Sequence, residues 1–122
     1  ILYVHGGAQM QFSAVPLNLI NRNASKKASF ILTGNWAVKA SKEAARYGMS
    51  INLASSEDRN FNYIPDYDVG LLDPDSSYLH ITSNNTLFGT RWHSFPETGE
   101  VPLVADMTSE FLSRKLDTTN SA

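Results

Sequence analysis

The chain has 122 residues, of which 42% are hydrophobic and 18% charged, a composition typical of a globular fold of one domain at most. A formal net charge of −2 without a long run of Lys or Arg argues against nucleic acid or an anionic membrane surface as a partner. We expect no membrane span and no signal peptide, and the lack of cysteine excludes disulfides and thiolate metal sites. A cytoplasmic location is the natural expectation.

The first half of the chain alternates strands with helices. Residues 1–6 ("ILYVHG") are a short apolar run stopped by glycine, and residues 10–20 carry apolar side chains at helical spacing. Pro16 lies inside that helical pattern, where it must remove a hydrogen bond or kink the helix. Residues 28–34 ("ASFILTG") repeat the strand-then-glycine pattern, and residues 35–48 favour a helix, with Asn35 as its candidate cap and Gly48 as its stop.

The second half predicts three more strands. They fall at residues 49–55, within residues 78–90 and within residues 101–109, and a polar connection rich in Pro and Asp follows the first of them. Strands that alternate with helices predict an α/β fold with a mostly parallel sheet and helices on both faces. In such sheets ligands bind beyond the carboxyl ends of the strands.

Polar residues lie near the carboxyl ends of the predicted strands, where that rule places a ligand. The stretches "HGGAQ", "TGNW", "TSNNT" and "ADMTS" each fall within or directly after a predicted strand. Each has a purely structural reading as well. The paired glycines and "TSNNT" fit turns, Trp36 fits a core or interface aromatic, and Asp106 fits a helix cap. Four such stretches at four strand ends favour a binding site.

The same stretches, in this order and spacing, resemble a known family. The segments "HGGAQMQFSAVPLNLI", "TGNWAVKASKEAARYG", "SSEDRNFNYIP", "HITSNNTLFGT" and "VPLVADMTSEFLSR" resemble consecutive parts of the phosphoserine aminotransferases, pyridoxal phosphate enzymes of serine biosynthesis. The resemblance implies that residues 1–122 are part of the large, cofactor-binding domain of the fold type I architecture, truncated at both ends. The first residues, which begin in mid-strand, agree with a chain cut from a longer one.

The resemblance also assigns cofactor-binding roles to five residues. It implies that Ala8 and Gln9 bind the cofactor phosphate, where backbone N–H groups at a helix start suit an anion. Gln9 stands where some members of the family have arginine. Trp36 would stack on the pyridine ring, Thr86 would bind near the phenolic oxygen, and Asp106 would pair with the ring nitrogen.

The implied reaction moves an amino group between glutamate and 3-phosphohydroxypyruvate in a homodimeric enzyme. The family's Schiff-base lysine matches no residue here, because the only lysine downstream of Asp106 is Lys115, which occupies a non-catalytic turn of the pattern. We therefore expect no catalytic residue in this chain and no activity of the chain alone. Two alternatives stay open: a non-catalytic relic domain that binds a phosphate ligand or a protein partner, and a fragment of a related class-V aminotransferase.

Overall fold

The computed structural model describes residues 7–115 of the chain. The strand predicted for residues 1–6 lies outside this range. The described part contains two α-helices, four strands of one sheet, a two-stranded hairpin and short 3-10 turns. The α-helices are α1 (Gln11–Leu19) and α2 (Asn35–Ala44), and the strands are β1 (Lys27–Leu32), β2 (Met49–Ser55), β3 (Ser76–Thr82), β4 (Asn84–Asn85), β5 (Thr90–Arg91) and β6 (Leu103–Asp106).

The main sheet has the strand order β2-β1-β3-β6, and all its strand pairs are parallel. Strands β4 and β5 form a separate antiparallel hairpin directly after β3. The α/β fold with a mostly parallel sheet is therefore confirmed. The stretch predicted as one strand within residues 78–90 is instead the carboxyl end of β3 followed by this hairpin.

The two faces of the sheet are covered differently. From β1 the chain crosses through α2 to β2, and then returns across β1 to β3 on its other side. Because parallel crossovers are right-handed, this change of direction sends the two connections to opposite faces. Both α1 and α2 pack on one face, around Phe30 and Tyr78. Within residues 7–115 the opposite face is covered by connecting segments rather than α-helices, with Leu72, Trp92 and Val101 in its core.

Helix α1 continues through Pro16, which is buried within it. The two expected ends of α2 were wrong. The N-cap position is Gly34 rather than Asn35, and no side chain caps this end. The helix ends at Ala44, whose carbonyl accepts hydrogen bonds from the backbone N–H groups of Tyr47 and Gly48. None of the helices within residues 7–115 combines the length and the apolar character needed to cross a membrane.

Gly48 is required for another reason than helix termination. A Cβ atom at this position would collide with the carbonyl oxygen of Lys26 and would come within 2.8 Å of Ile20 Cδ1. The next residue, Met49, donates its N–H to that same Lys26 oxygen at 2.8 Å, so the two backbone segments cannot separate without losing the bond. The start of β2 therefore depends on a residue without a side chain.

We expect Gly48→Ala to lower the free energy of unfolding by about 1–3 kcal/mol, the usual cost of forcing extra volume into a packed site. Thermal denaturation followed by circular dichroism would measure the change. Gly70→Ala is the matched control, because its Cβ would meet only the side chain of Asp68, at 3.1 Å. Equal effects of the two substitutions would contradict the role assigned to Gly48.

Candidate functional site

A cavity of about 290 Å³ lies at the carboxyl edge of the sheet. Strands β1 and β3 are neighbours whose connections lead in opposite directions, and ligands of open α/β sheets bind at such a switch point. The cavity walls come from the start of the helical segment before α1, the first turn of α2, the end of β3 with its hairpin, and the end of β6. The lining residues are Gly7, Ala8, Gln9, Phe12, Trp36, Thr82, Asn84, Thr86, Asp106, Thr108 and Ser109.

All five residues that the sequence analysis selected line this one cavity, although up to 98 positions separate them in the chain. They are Ala8, Gln9, Trp36, Thr86 and Asp106. No contact with a bound molecule tests the individual roles, so these stay predictions. What the structure establishes is that the five side chains or backbones face a common space.

The backbone at Ala8 and Gln9 offers donors to that space. A 3-10 turn at Ala8–Met10 leads directly into α1, and no side chain caps the start of the turn. The first N–H groups of a helical segment have no partner inside it, and they carry a partial positive charge. This wall of the cavity therefore suits an anionic group.

Trp36 forms an aromatic wall. Its side chain is 43% exposed, and its ring lies 6.3 Å from the ring of Phe12 between centroids. Lys39, one helical turn later in α2, places Nζ 4.2 Å from the indole centroid. Such a cation–π contact restrains the indole in an otherwise open position. The indole can offer a flat apolar surface to a ring bound in the cavity.

Asp106 is the acidic group of the cavity. Its Oδ1 accepts hydrogen bonds from the N–H of Thr108 at 3.1 Å and from the hydroxyl of Thr108 at 2.6 Å. The backbone of Asp106 is fixed as well, because its carbonyl accepts from the N–H and the hydroxyl of Ser83. Residues 107–113 form turns rather than an α-helix, so Asp106 closes a local turn and caps no helix.

Two polar residues that the sequence analysis did not select join the walls. Asn84 donates from Nδ2 to the hydroxyl of Ser109 at 2.9 Å, and that hydroxyl donates to the Asn84 carbonyl at 3.0 Å. These bonds tie the segment after β3 to the segment after β6. Asn84 belongs to the stretch "TSNNT" and Ser109 to "ADMTS". The polar composition of these stretches indicated a binding site but did not single out either residue.

The hairpin that carries Thr86 is held against the end of β1. Asn85 is 3% exposed and donates to the hydroxyls of Thr33 and Thr90, at 3.1 and 3.3 Å. A Cβ at Gly34 would lie 2.8 Å from Asn85 Oδ1. The glycine after β1 therefore allows the hairpin to approach, and the hairpin brings Thr86 to the cavity.

Two further residues of β3 approach Asp106. The Oγ1 of Thr82 and the Nδ1 of His80 are buried and have no hydrogen-bond partner among residues 7–115. Thr82 lies directly opposite Asp106 in the sheet and lines the same cavity. Burial lowers the pKa of His80 to about 4, and the carboxylate of Asp106 acts in the opposite direction. The imidazole is therefore neutral at pH 7.

A parallel sheet with a partly polar cavity at its carboxyl edge defines an α/β domain of the ligand-binding kind. The family model of the class-V aminotransferases matches residues 1–121, and the chain belongs to this family.

The chain is similar to phosphoserine aminotransferases from several organisms. It is 52% identical over 118 residues to that of Desulfosudis oleivorans, covering 96% of this chain and 32% of the relative. It is 48% identical over 122 residues to that of Geobacillus kaustophilus, covering 100% and 33%. The chain thus spans about a third of the length of the curated relatives it matches, and the resemblance described above is confirmed.

Solved structures agree with this relationship. A phosphoserine aminotransferase from Bacillus circulans subsp. alkalophilus superposes with a TM-score of 0.85 at 39% identity, covering 96% of this chain and 32% of that one. The PLP-bound enzyme from Trichomonas vaginalis superposes with a TM-score of 0.83 at 31% identity, covering 98% and 35%. The arrangement of sheet, helices and hairpin is therefore shared with both.

Proposed function

We propose that the cavity binds pyridoxal phosphate and that the protein containing this chain transfers an amino group between glutamate and 3-phosphohydroxypyruvate. The observation that carries the proposal is the convergence of Ala8, Gln9, Trp36, Thr86 and Asp106 on a single cavity. The relatives from Desulfosudis oleivorans, Geobacillus kaustophilus and Bacillus subtilis are named phosphoserine aminotransferases, which supports the choice of reaction within the class-V family.

The donors and acceptors of the cavity suit the chemical groups of pyridoxal phosphate. The uncapped helical start at Ala8 and Gln9 suits the dianionic phosphate. The indole of Trp36 suits one face of the pyridine ring, and Thr86 offers a hydroxyl to the oxygen on the ring. The buried, unpartnered Oγ1 of Thr82 supplies a further reason for a polar ligand here, because such atoms are normally hydrogen-bonded.

Asp106 contributes the decisive charge. Pyridoxal phosphate supplies an electron-accepting ring, and it accepts electrons best when its nitrogen is protonated. Asp106 lies half-buried at the cavity wall, where a carboxylate is less screened than in bulk water. Its carboxylate would hold a proton on the ring nitrogen of the bound cofactor. The Thr108 donors on Oδ1 keep the carboxylate in place for this task.

Glutamate and a phosphorylated keto acid are the proposed substrates, a homodimer is the proposed assembly, and the cytoplasm is the proposed location. The family and the names of its members support the choice of substrates, the homodimer is what the family resemblance implies, and the cytoplasmic location is the expectation from the cysteine-free composition.

The function is tested on the complete protein that carries this sequence. Purified protein is expected to bind pyridoxal phosphate and to convert glutamate and 3-phosphohydroxypyruvate to 2-oxoglutarate and phosphoserine. Aspartate and alanine as amino donors, and pyruvate as acceptor, separate this reaction from those of other class-V aminotransferases. Failure to bind the cofactor, or a clear preference for another pair of substrates, would contradict the proposal.

The 122-residue chain by itself is expected not to attach pyridoxal phosphate covalently at the cavity. Its lysines are Lys26, Lys27, Lys39, Lys42 and Lys115, and none of them lines the cavity. Covalent attachment needs an amine held at the aldehyde. Borohydride reduction of the mixture, followed by peptide mass spectrometry, measures the attachment, and free lysine at matched concentration gives the background. Stoichiometric labelling of one lysine would contradict this expectation.

A further inference from the structure

A second cavity, of about 240 Å³, adjoins the first and lies between α1 and the face of β3 and β6. Ala8, Phe12, Asp106 and Thr108 line both cavities, so Asp106 lies where the two meet. Most of the other side chains around the second cavity are apolar. Its titratable residues are His80, Tyr78 and Asp106.

The sheet register sets His80 beside Asp106. His80 pairs with Val104 and Thr82 pairs with Asp106, and residues two apart on a strand share a face. His80 and Asp106 are therefore diagonal neighbours on the helical face, close enough for contact through one small molecule such as water. The ring of His80 is held in this position by Phe30, with centroids 5.3 Å apart and planes inclined by 32°.

His80 has an unmet hydrogen-bonding requirement. Its side chain is 4% exposed, and Nδ1 has no partner among residues 7–115. A neutral imidazole has one donor and one acceptor nitrogen, and buried polar atoms are almost always paired. The hydrogen bonds from Thr108 both end on Oδ1 of Asp106, so Oδ2 remains for another donor.

We propose that His80 is a positioning residue for Asp106, and that its neutral imidazole donates from Nδ1, through a water molecule in the second cavity, to Oδ2. His80 and Thr108 then hold the two carboxylate oxygens from different sides. This arrangement fixes the plane of the carboxylate, because each of its two oxygens is then held by a donor. The benefit for the ring nitrogen rests on the proposed function, but the link between His80 and Asp106 does not.

Nuclear magnetic resonance of the cofactor-free protein labelled with ¹⁵N-histidine tests the link. The signals of His80 are identified by their loss in His80→Gln. We expect a single neutral tautomer with the proton on Nδ1 from about pH 5.5 to 8, as a histidine whose pKa burial lowers should show. The Nδ1 signal should shift in Asp106→Asn and stay unchanged in the remote control Asp58→Asn. A proton on Nε2, or a His80 signal indifferent to Asp106→Asn, would overturn the proposal.

Kinetics of the complete enzyme give a second measurement. His80→Asn keeps an amide donor near the position of Nδ1, whereas His80→Phe keeps the ring shape without one. We expect His80→Phe to reduce kcat about fivefold to tenfold with KM little changed, the effect of one hydrogen bond, and His80→Asn to recover most of the loss. Equal losses in both variants would overturn the positioning role. The resonance measurement needs no cofactor. A protein that binds no pyridoxal phosphate would therefore contradict the proposed function, but it would leave the proposed link between His80 and Asp106 to be decided by the resonance measurement.

Discussion

Asp106→Asn in the complete enzyme is expected to keep its cofactor and to transfer amino groups about tenfold to a hundredfold more slowly. The lost interaction is one charge-assisted hydrogen bond, about 1.5–3 kcal/mol, and each 1.4 kcal/mol corresponds to a factor of ten in rate. An amide cannot balance the positive charge of a protonated ring nitrogen as a carboxylate does. The cofactor should stay bound, because the donors at Ala8 and Gln9 and the face of Trp36 are unchanged.

Asp106→Asn is an informative substitution, because it separates a role in cofactor binding from a role in the local turn. The Oδ1 of an asparagine can still accept both hydrogen bonds from Thr108, so the local turn is retained while the charge and the acceptor at Oδ2 are removed. If Asp106 served the turn alone, the variant would match the wild type. Single-turnover absorbance with glutamate, together with the cofactor content of each protein, distinguishes the two cases. Near-equal rates would rule out the charge role.

Arg114→Met is expected to destabilise the protein by about 3–5 kcal/mol, the cost of leaving a buried charge without its partner. Glu110 is 5% exposed, and its Oε1 accepts from Arg114 Nε at 2.8 Å and lies 2.7 Å from Nη2. Arg114 also donates to the carbonyls of Trp92 and His93. Its guanidinium therefore joins the turns after β6 to the segment after the hairpin.

An exposed ion pair provides the control. Arg59 and Asp58 are 74% and 59% exposed and lie 3.8 Å apart, so Arg59→Met should cost at most about 1 kcal/mol. Urea denaturation of the three proteins measures the differences. Adding Glu110→Gln to Arg114→Met should restore part of the loss, because the uncompensated charge is then removed. A loss for Arg114→Met no larger than that of Arg59→Met would mean that the buried pair contributes little.

The elements that local sequence determines were predicted well. An apolar run that ends at glycine located β1, the stretch of residues 49–55 located β2, and helical spacing located α1 in spite of its proline. The polar residues at the strand ends pointed to the edge of the sheet at which the cavity lies, because parallel strands bring their carboxyl ends together. Assigning single residues to the cavity relied on the family resemblance, since "TSNNT" alone does not distinguish Asn84 from Thr86.

Features that depend on distant contacts were not predicted. Asn35 has the right chemistry for a helix cap, but the cap position falls on Gly34, where the Asn85 side chain leaves no room for a Cβ. The sequence carries no signal for the Glu110–Arg114 ion pair, because the carbonyls that Arg114 also contacts belong to residues some 20 positions earlier in the chain. His80 reads as an ordinary strand residue, because its closeness to Asp106 depends on the register between β3 and β6.

The pairing of Thr82 with Asp106 has a consequence for how the chain can vary. Side chains alternate between the faces of a strand, so a slip of β6 by one residue would turn Asp106 to the opposite face and present Ala105 instead. A single insertion or deletion within residues 103–106 would therefore remove the carboxylate from the cavity while leaving the strand intact. The connection at residues 92–101 lies outside the paired strands, so a change in its length does not by itself alter the face on which Asp106 lies. That face is set by the register between β3 and β6, whereas Thr108 holds the carboxylate once it is there.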